Sequence, residues 1–172
     1  MYPKIKKILY ATDLSDNSAY ALRYAMSSAK EHDAEIVVLH VLEALPGSAQ
    51  AMMGNMIDEE KIDQILRDKI AESKERIQKR LRIFFDKEFS NDPECIDMVH
   101  SILVIEGYPE NEILKQASEL DCDLIIMGSH GKGIISHTFL GSVAKRVLRR
   151  VRKPIYIIPL PEGETDITFH SM

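Results

Sequence analysis

Cysteine is scarce in this chain, basic residues are outnumbered by acidic ones, and no long apolar run occurs. Each shortage removes a class of protein. The two cysteines, Cys95 and Cys122, supply neither a disulfide framework nor a metal or redox motif. In a reducing compartment they read as buried or half-buried thiols. His130, His137 and Cys122 fit no ligand spacing, so no protein-held metal is expected. Lys and Arg number 22 against 27 Asp and Glu, a net charge of −5. That balance argues against general binding to DNA or RNA, where phosphate neutralisation supplies much of the affinity. The basic run Lys145, Arg146, Arg149, Arg150, Arg152, Lys153 is the counter-signal. Its place toward the end of a predicted helix reads as a solvated face whose cations suit the macrodipole. No stretch approaches the ~20 apolar residues that cross a bilayer. The opening Met1-Tyr-Pro-Lys-Ile-Lys-Lys-Ile lacks the apolar core and cleavage site of a signal peptide, which predicts a cytoplasmic location. Internal repeats and low-complexity tracts are also missing.

What is present is an alternation of apolar runs with segments of helical period. Ile5 to Tyr10 reads as a first strand, and Asp13-Leu14-Ser15-Asp16 offers side chains that start a helix. Ala19, Leu22, Ala25, Met26 and Ala29 then predict a helix over about residues 16–31. Residues 36–42 are apolar almost without alternation, as in a parallel strand covered on both faces. Ile62, Leu66, Ile70, Ile77, Leu81 and Phe84 form one stripe of a long helix. Residues 98–105 return to β character, and Gly107-Tyr-Pro109 opens a helix with proline where helices accept it. Asp123 to Met127 is a fourth strand, and Val143, Val147, Leu148 and Val151 mark a fourth helix. Pro154 to Pro159 is a last strand whose prolines put it at a sheet edge. Four β-α units and a closing strand predict one doubly wound α/β domain over residues 1–160, a five-stranded parallel sheet flanked by helices. Residues 43–57 form a loop insert and 161–172 a flexible polar tail.

The segment richest in chemistry follows the fourth strand: Gly128-Ser-His-Gly131, nine residues, then Gly141-Ser142. Glycines let a backbone approach an anion, and the amides opening the next helix carry partial positive charge. The Walker pattern fails here, because Gly133-Ile134 stands where Gly-Lys is needed. The dinucleotide fingerprint fails too, on its last glycine and on its strand. Gly-x2-Gly-x9-Gly-Ser remains. Asp13 also suits the start of the first helix and Ser142 an N-cap. In this topology Ala11, Thr12 and Asp13 open at the same edge as Val41 and Met127.

That pattern resembles the ATP-binding subgroup of the universal stress protein family, whose signature is Gly-x2-Gly-x9-Gly-Ser/Thr. Gly128, Gly131, Gly141 and Ser142 match every fixed position, and Tyr10-Ala-Thr-Asp13-x-Ser15, His40-Val41 and Lys153-Pro-Ile support it over about residues 4–159. The resemblance implies a Rossmann-like adenine-nucleotide fold. Val41 main-chain groups would read adenine, with Asp13 near the ribose and Ala11, Thr12 and Met127 beside them. Gly128, the His130 backbone and Gly131 would cradle ribose and inner phosphates, and Gly141, Ser142 and Val143 the outer phosphates. His130 departs from the arginine that many ATP-binding members carry. The ligand implied is ATP, ADP or AMP, with Mg²⁺ or Mn²⁺ held by the phosphates.

With no placed catalytic base or arginine clamp, hydrolysis should be slow or nil. The implied output is nucleotide-dependent regulation in the stress response by a homodimer joined through residues 154–159, whose apolar edge needs cover. An alternative is a slow ATP hydrolase or adenylyl-transfer enzyme drawing on Asp13, His130 or His137. A nucleotide-free scaffold is the third reading. The insert stretch Ala51-Met-Met-Gly-Asn-Met56 is expected to be either an adaptable lid or a disordered connection.

Overall fold

Branched apolar residues dominate the runs that become strands. The computed structural model of the chain describes residues 2–43, 59–131, 140–161, 167 and 169. Strands β1 (Lys7–Thr12), β2 (Glu35–Glu43), β3 (Val99–Gly107), β4 (Leu124–Gly128) and β5 (Ile155–Ile158) form one sheet in the order β3-β2-β1-β4-β5. Every pairing is parallel. The five-stranded α/β sheet and the edge position of β5 agree with the sequence reading. The order in which successive strands are laid down reverses at β1, which β2 and β4 flank; α/β folds bind ligands at the carboxyl end of such a switch point.

The helices are α1 (Asp16–His32), α2 (Glu59–Glu88), α3 (Pro93–Asp97), α4 (Pro109–Glu119) and α5 (Ser142–Leu148). Helix α1 starts at Ser15, whose side chain accepts the Ser18 N–H, and stops at Asp33 in the left-handed conformation (φ 53°). Ala19, Leu22, Ala25, Met26 and Ala29 are all buried, which is the predicted stripe. Proline opens both α3 and α4. The short α3 was absent from the four-helix expectation, because five residues carry too little periodicity to register.

Successive strand residues point to opposite faces. Ile8, Tyr10, Ile36, Val38, Leu124 and Ile126 meet α1 and α2 on one side. Leu9, Ala11, Val37, Leu39, Ile125 and Met127 meet α4 and α5 on the other. Burying such a side chain is worth about 1.5–3 kcal/mol, so both faces contribute. Helix α2 has 30 residues, about 45 Å of rise, and outruns its sheet. Leu81 and Phe84 are accordingly buried, while Ile65 is 47% exposed.

Two expectations change. Ile167 and Phe169, in the tail expected to be loose, are 1% and 0% exposed. Phe169 lies 4.2 Å from Phe84 between ring centroids, and its carbonyl accepts Arg80 Nη2 at 2.6 Å. Burial of two apolar side chains outweighs the polar character of their neighbours. The basic run is not one helix face: α5 ends at Leu148, so Arg150, Arg152 and Lys153 lie in the connection to β5. Arg146 pairs with Glu110, Arg150 with Asn111 and Lys153 with Asp121, tying α5 and that connection to α4 and its end. Residues 44–58, which include Ala51–Met56, and 132–139, which include His137, lie outside the described residues.

Candidate functional site

The carboxyl ends of β1 and β4 are in register, Ala11 opposite Met127, and one step on Gly128 stands opposite Ile158. Thr12 pairs with His40 on the other side, so Val41 follows at the open end of β1. The sequence-predicted residues on three strands therefore share one sheet edge. Beyond β1 the chain turns sharply through Leu14, which adopts φ 63° although it is not glycine. This left-handed residue costs about 1 kcal/mol or more, and its 5% exposure shows the packing that offsets it.

The turn holds Asp13 in place. Asp13 Oδ1 accepts the Ser15 N–H at 3.0 Å and the Ser15 hydroxyl at 2.5 Å. The N-cap of α1 is thus Ser15, not Asp13, and Asp13 supports it. Asp13 Oδ2 faces Gly131: a Cβ on that glycine would sit 2.3 Å from it. A side chain at 131 would therefore have to displace this carboxylate. Thr12 is at the edge but its polar atoms are engaged, Oγ1 with Ser18 Oγ (2.9 Å) and the Leu14 N–H (3.1 Å), its carbonyl with His40 Nδ1 (2.8 Å). The buried Tyr10 phenol donates to Ser18 O at 2.5 Å, and burial pushes its pKa upward, so it stays protonated.

Across from Asp13, Gly141 packs on the glycine turn. A Cβ there would lie 3.3 Å from Ser129 O and 3.4 Å from His130 Cα, and the Gly141 N–H donates to Ser129 O at 2.8 Å. Gly141 is the N-cap of α5, which makes Ser142 the first helical residue rather than the cap. Ser142 is exposed and Val143 half-buried. The first amides of α5 have no intrahelical acceptor. His130 is half-buried, with Nδ1 2.8 Å from Ser129 Oγ. The structure brings Asp13, Gly131, Gly128, His130 and Gly141 together, with Val41 on the adjoining strand. Sequence reasoning missed Asn17 and Ser129, buried polar residues that hold this turn from beneath. Among the described residues no group of His, Cys, Asp and Glu could hold a metal ion, and no helix is long and apolar enough to cross a membrane.

A parallel sheet that reverses order beside a glycine turn, a helix start and a carboxylate defines a doubly wound, Rossmann-like α/β domain. Within that class the chain belongs to the universal stress protein family, whose family model matches residues 4–159. It is 31% identical over 159 residues to universal stress protein MJ0531 of Methanocaldococcus jannaschii, covering 92% of this chain and 85% of that one. It is 26% identical over 153 residues to universal stress protein MJ0577 of the same organism, covering 89% and 94%. The solved structure of MJ0577 superposes with a TM-score of 0.67 at 26% identity, covering 94% of this chain and all of that one. A universal stress protein solved in complex with cAMP shares the fold, with a TM-score of 0.52 at 21% identity and coverage of 91% and 98%.

Proposed function

We propose that this chain is an ATP-binding regulatory protein of the stress response, a homodimer that acts through its nucleotide-bound state with slow or no hydrolysis. One observation carries the reading: the approach of Gly131 to Asp13, with Gly141 packed on the same turn, forms a cradle at the switch point that any side chain would fill. Val41 main-chain groups read adenine, Asp13 takes ribose hydroxyls, and Ala11, Thr12 and Met127 complete the inner wall. The backbone of Gly128, His130 and Gly131 lines ribose and inner phosphates, the His130 N–H itself being turned away to Asn17, while Gly141, Ser142 and Val143 present helix-opening groups to the outer phosphates. Mg²⁺ or Mn²⁺ would come with the nucleotide and offset its phosphate charge without a protein-held site, since such ions keep several waters and need few protein ligands. Asp13 Oδ1 and His130 Nδ1 are engaged with Ser15 and Ser129, which leaves them poorly disposed to activate a water. Residues 154–159 supply the dimer edge, where Tyr156 is 43% exposed. The protein works in the cytoplasm, where ATP is abundant.

The test is chromatography of nucleotides released by acid from freshly purified protein, then calorimetric titration of the stripped protein with ATP and Mg²⁺. Adenine nucleotide is expected in the extract, with binding lost in Gly131→Val and Ser142→Asp. A folded protein that releases no nucleotide and gives no heat overturns the proposal.

A further inference from the structure

Asn17, in the first turn of α1, is 1% exposed and spans three elements. Its Oδ1 accepts the His130 N–H at 2.7 Å and lies 3.4 Å from the Ser129 hydroxyl. Its Nδ2 donates to the carbonyl of Ile158, the last residue of β5, at 3.2 Å. The same carbonyl accepts the Ser129 N–H at 2.8 Å. Gly128 sits directly on this side chain: a Cβ there would come to 2.9 Å from Asn17 Oδ1 and 3.0 Å from its Cγ. An amide is the side chain that fits, because the site needs an acceptor for His130 and a donor for Ile158 at once. Aspartate supplies only the acceptor and would put a negative charge behind the turn.

We infer that Asn17 is a positioning residue for nucleotide binding, which turns the His130 amide inward and pins the 128–131 turn to the end of β5. The ligand then meets Gly131 and the first turn of α5 rather than the His130 amide. This rests on the nucleotide reading above. The effect falls on phosphate contacts, because Val41 and the Asp13 carboxylate do not depend on Asn17.

The test titrates wild type, Asn17→Ala and a core control, Ile36→Val, with ATP plus Mg²⁺ and separately with adenosine, and follows amide exchange at His130 in the unliganded protein. Wild type should show a protected His130 amide. Asn17→Ala should lose that protection and bind ATP about tenfold more weakly or worse, the equivalent of one or two net hydrogen bonds. Its adenosine affinity should stay within about threefold, and Ile36→Val should change neither affinity by more than that. Should Asn17→Ala not fold, Asn17→Asp carries the test: His130 stays protected while ATP weakens about tenfold and adenosine does not. Equal weakening of ATP and adenosine, unchanged ATP binding, or rapid His130 exchange in wild type overturns the inference alone. No nucleotide binding by wild type overturns the proposed function and this inference with it.

Discussion

Gly131→Ala probes the contact on which the candidate site turns. The added Cβ would lie 2.3 Å from Asp13 Oδ2 and 3.4 Å from its Cγ. Gly107 is the glycine with positive φ among the described residues, so the backbone at 131 accepts alanine and the conflict is with the Asp13 side chain. That side chain cannot rotate away freely, because Oδ1 holds the Ser15 N–H and hydroxyl. Two hydrogen bonds to a half-exposed carboxylate are worth about 1–2 kcal/mol together, below the value for a fully buried charged acceptor. Replacing glycine itself returns about 0.4–1 kcal/mol by restricting the unfolded chain. Gly131→Ala should therefore cost between about 0 and 1.6 kcal/mol net. In an Asp13→Ala background the same change should be neutral or slightly stabilising, a coupling of about 1–2 kcal/mol. Urea denaturation of the four proteins measures the cycle. Additivity within about 0.5 kcal/mol would mean that Asp13 does not face Gly131, and the cradle would be lost with it.

Two further predictions bear on the rest of the chain. Phe169→Ala should cost about 3–5 kcal/mol in urea denaturation, as for a fully buried ring, and a loss below about 1 kcal/mol would return the tail to solvent. Burial pushes the Cys122 thiol up to about 11 from an ordinary value near 9, so the folded state holds this proton more tightly than the unfolded one. Its contribution is complete below pH 9 and is lost as pH rises toward 11; Cys122→Ala should flatten the decline of the urea midpoint over that window, and an unchanged slope refutes the assignment.

The strands were legible because both faces of this sheet are covered. Residues such as Ile36 to Leu39 are apolar without alternation, and that signal survives any uncertainty about partners. The glycine turn was legible because spacing alone constrains a close backbone approach. Asn17 was not, since a polar residue in the first turn of a helix ordinarily faces water; its burial arises only when β4 and β5 arrive beside α1. Ile167 and Phe169 alternate with polar neighbours, a pattern that reads equally as tail or as strand. The basic run misled because helical period continued to Val151, while the chain leaves the helix after Leu148. His40 was seen only as part of a strand end, yet its ring ties that strand to the Thr12 carbonyl.

Hydrogen bonds within the turn decide which groups remain to meet an anion. The amides of Ser129, His130 and Gly141 are donated to Ile158 O, Asn17 Oδ1 and Ser129 O at 2.8, 2.7 and 2.8 Å. These bonds brace the turn instead of reaching outward. Among the described residues, the first amides of α5 and the exposed Ser142 hydroxyl make no such bond, and Asp13 stands across the turn from them. A carboxylate opposite those donors accepts hydroxyl groups and repels phosphate, so under the proposed function it would orient a nucleotide with ribose at Asp13 and phosphates at α5. Asp13→Asn keeps the shape and the acceptor toward Ser15 while removing the charge. Adenosine should then bind about three- to tenfold more weakly, for loss of a charged acceptor, while inorganic pyrophosphate binds more tightly. Calorimetric titration of both ligands separates the effects. A shift of the two affinities in the same direction would mean that the Asp13 charge does not sort the ends of the ligand.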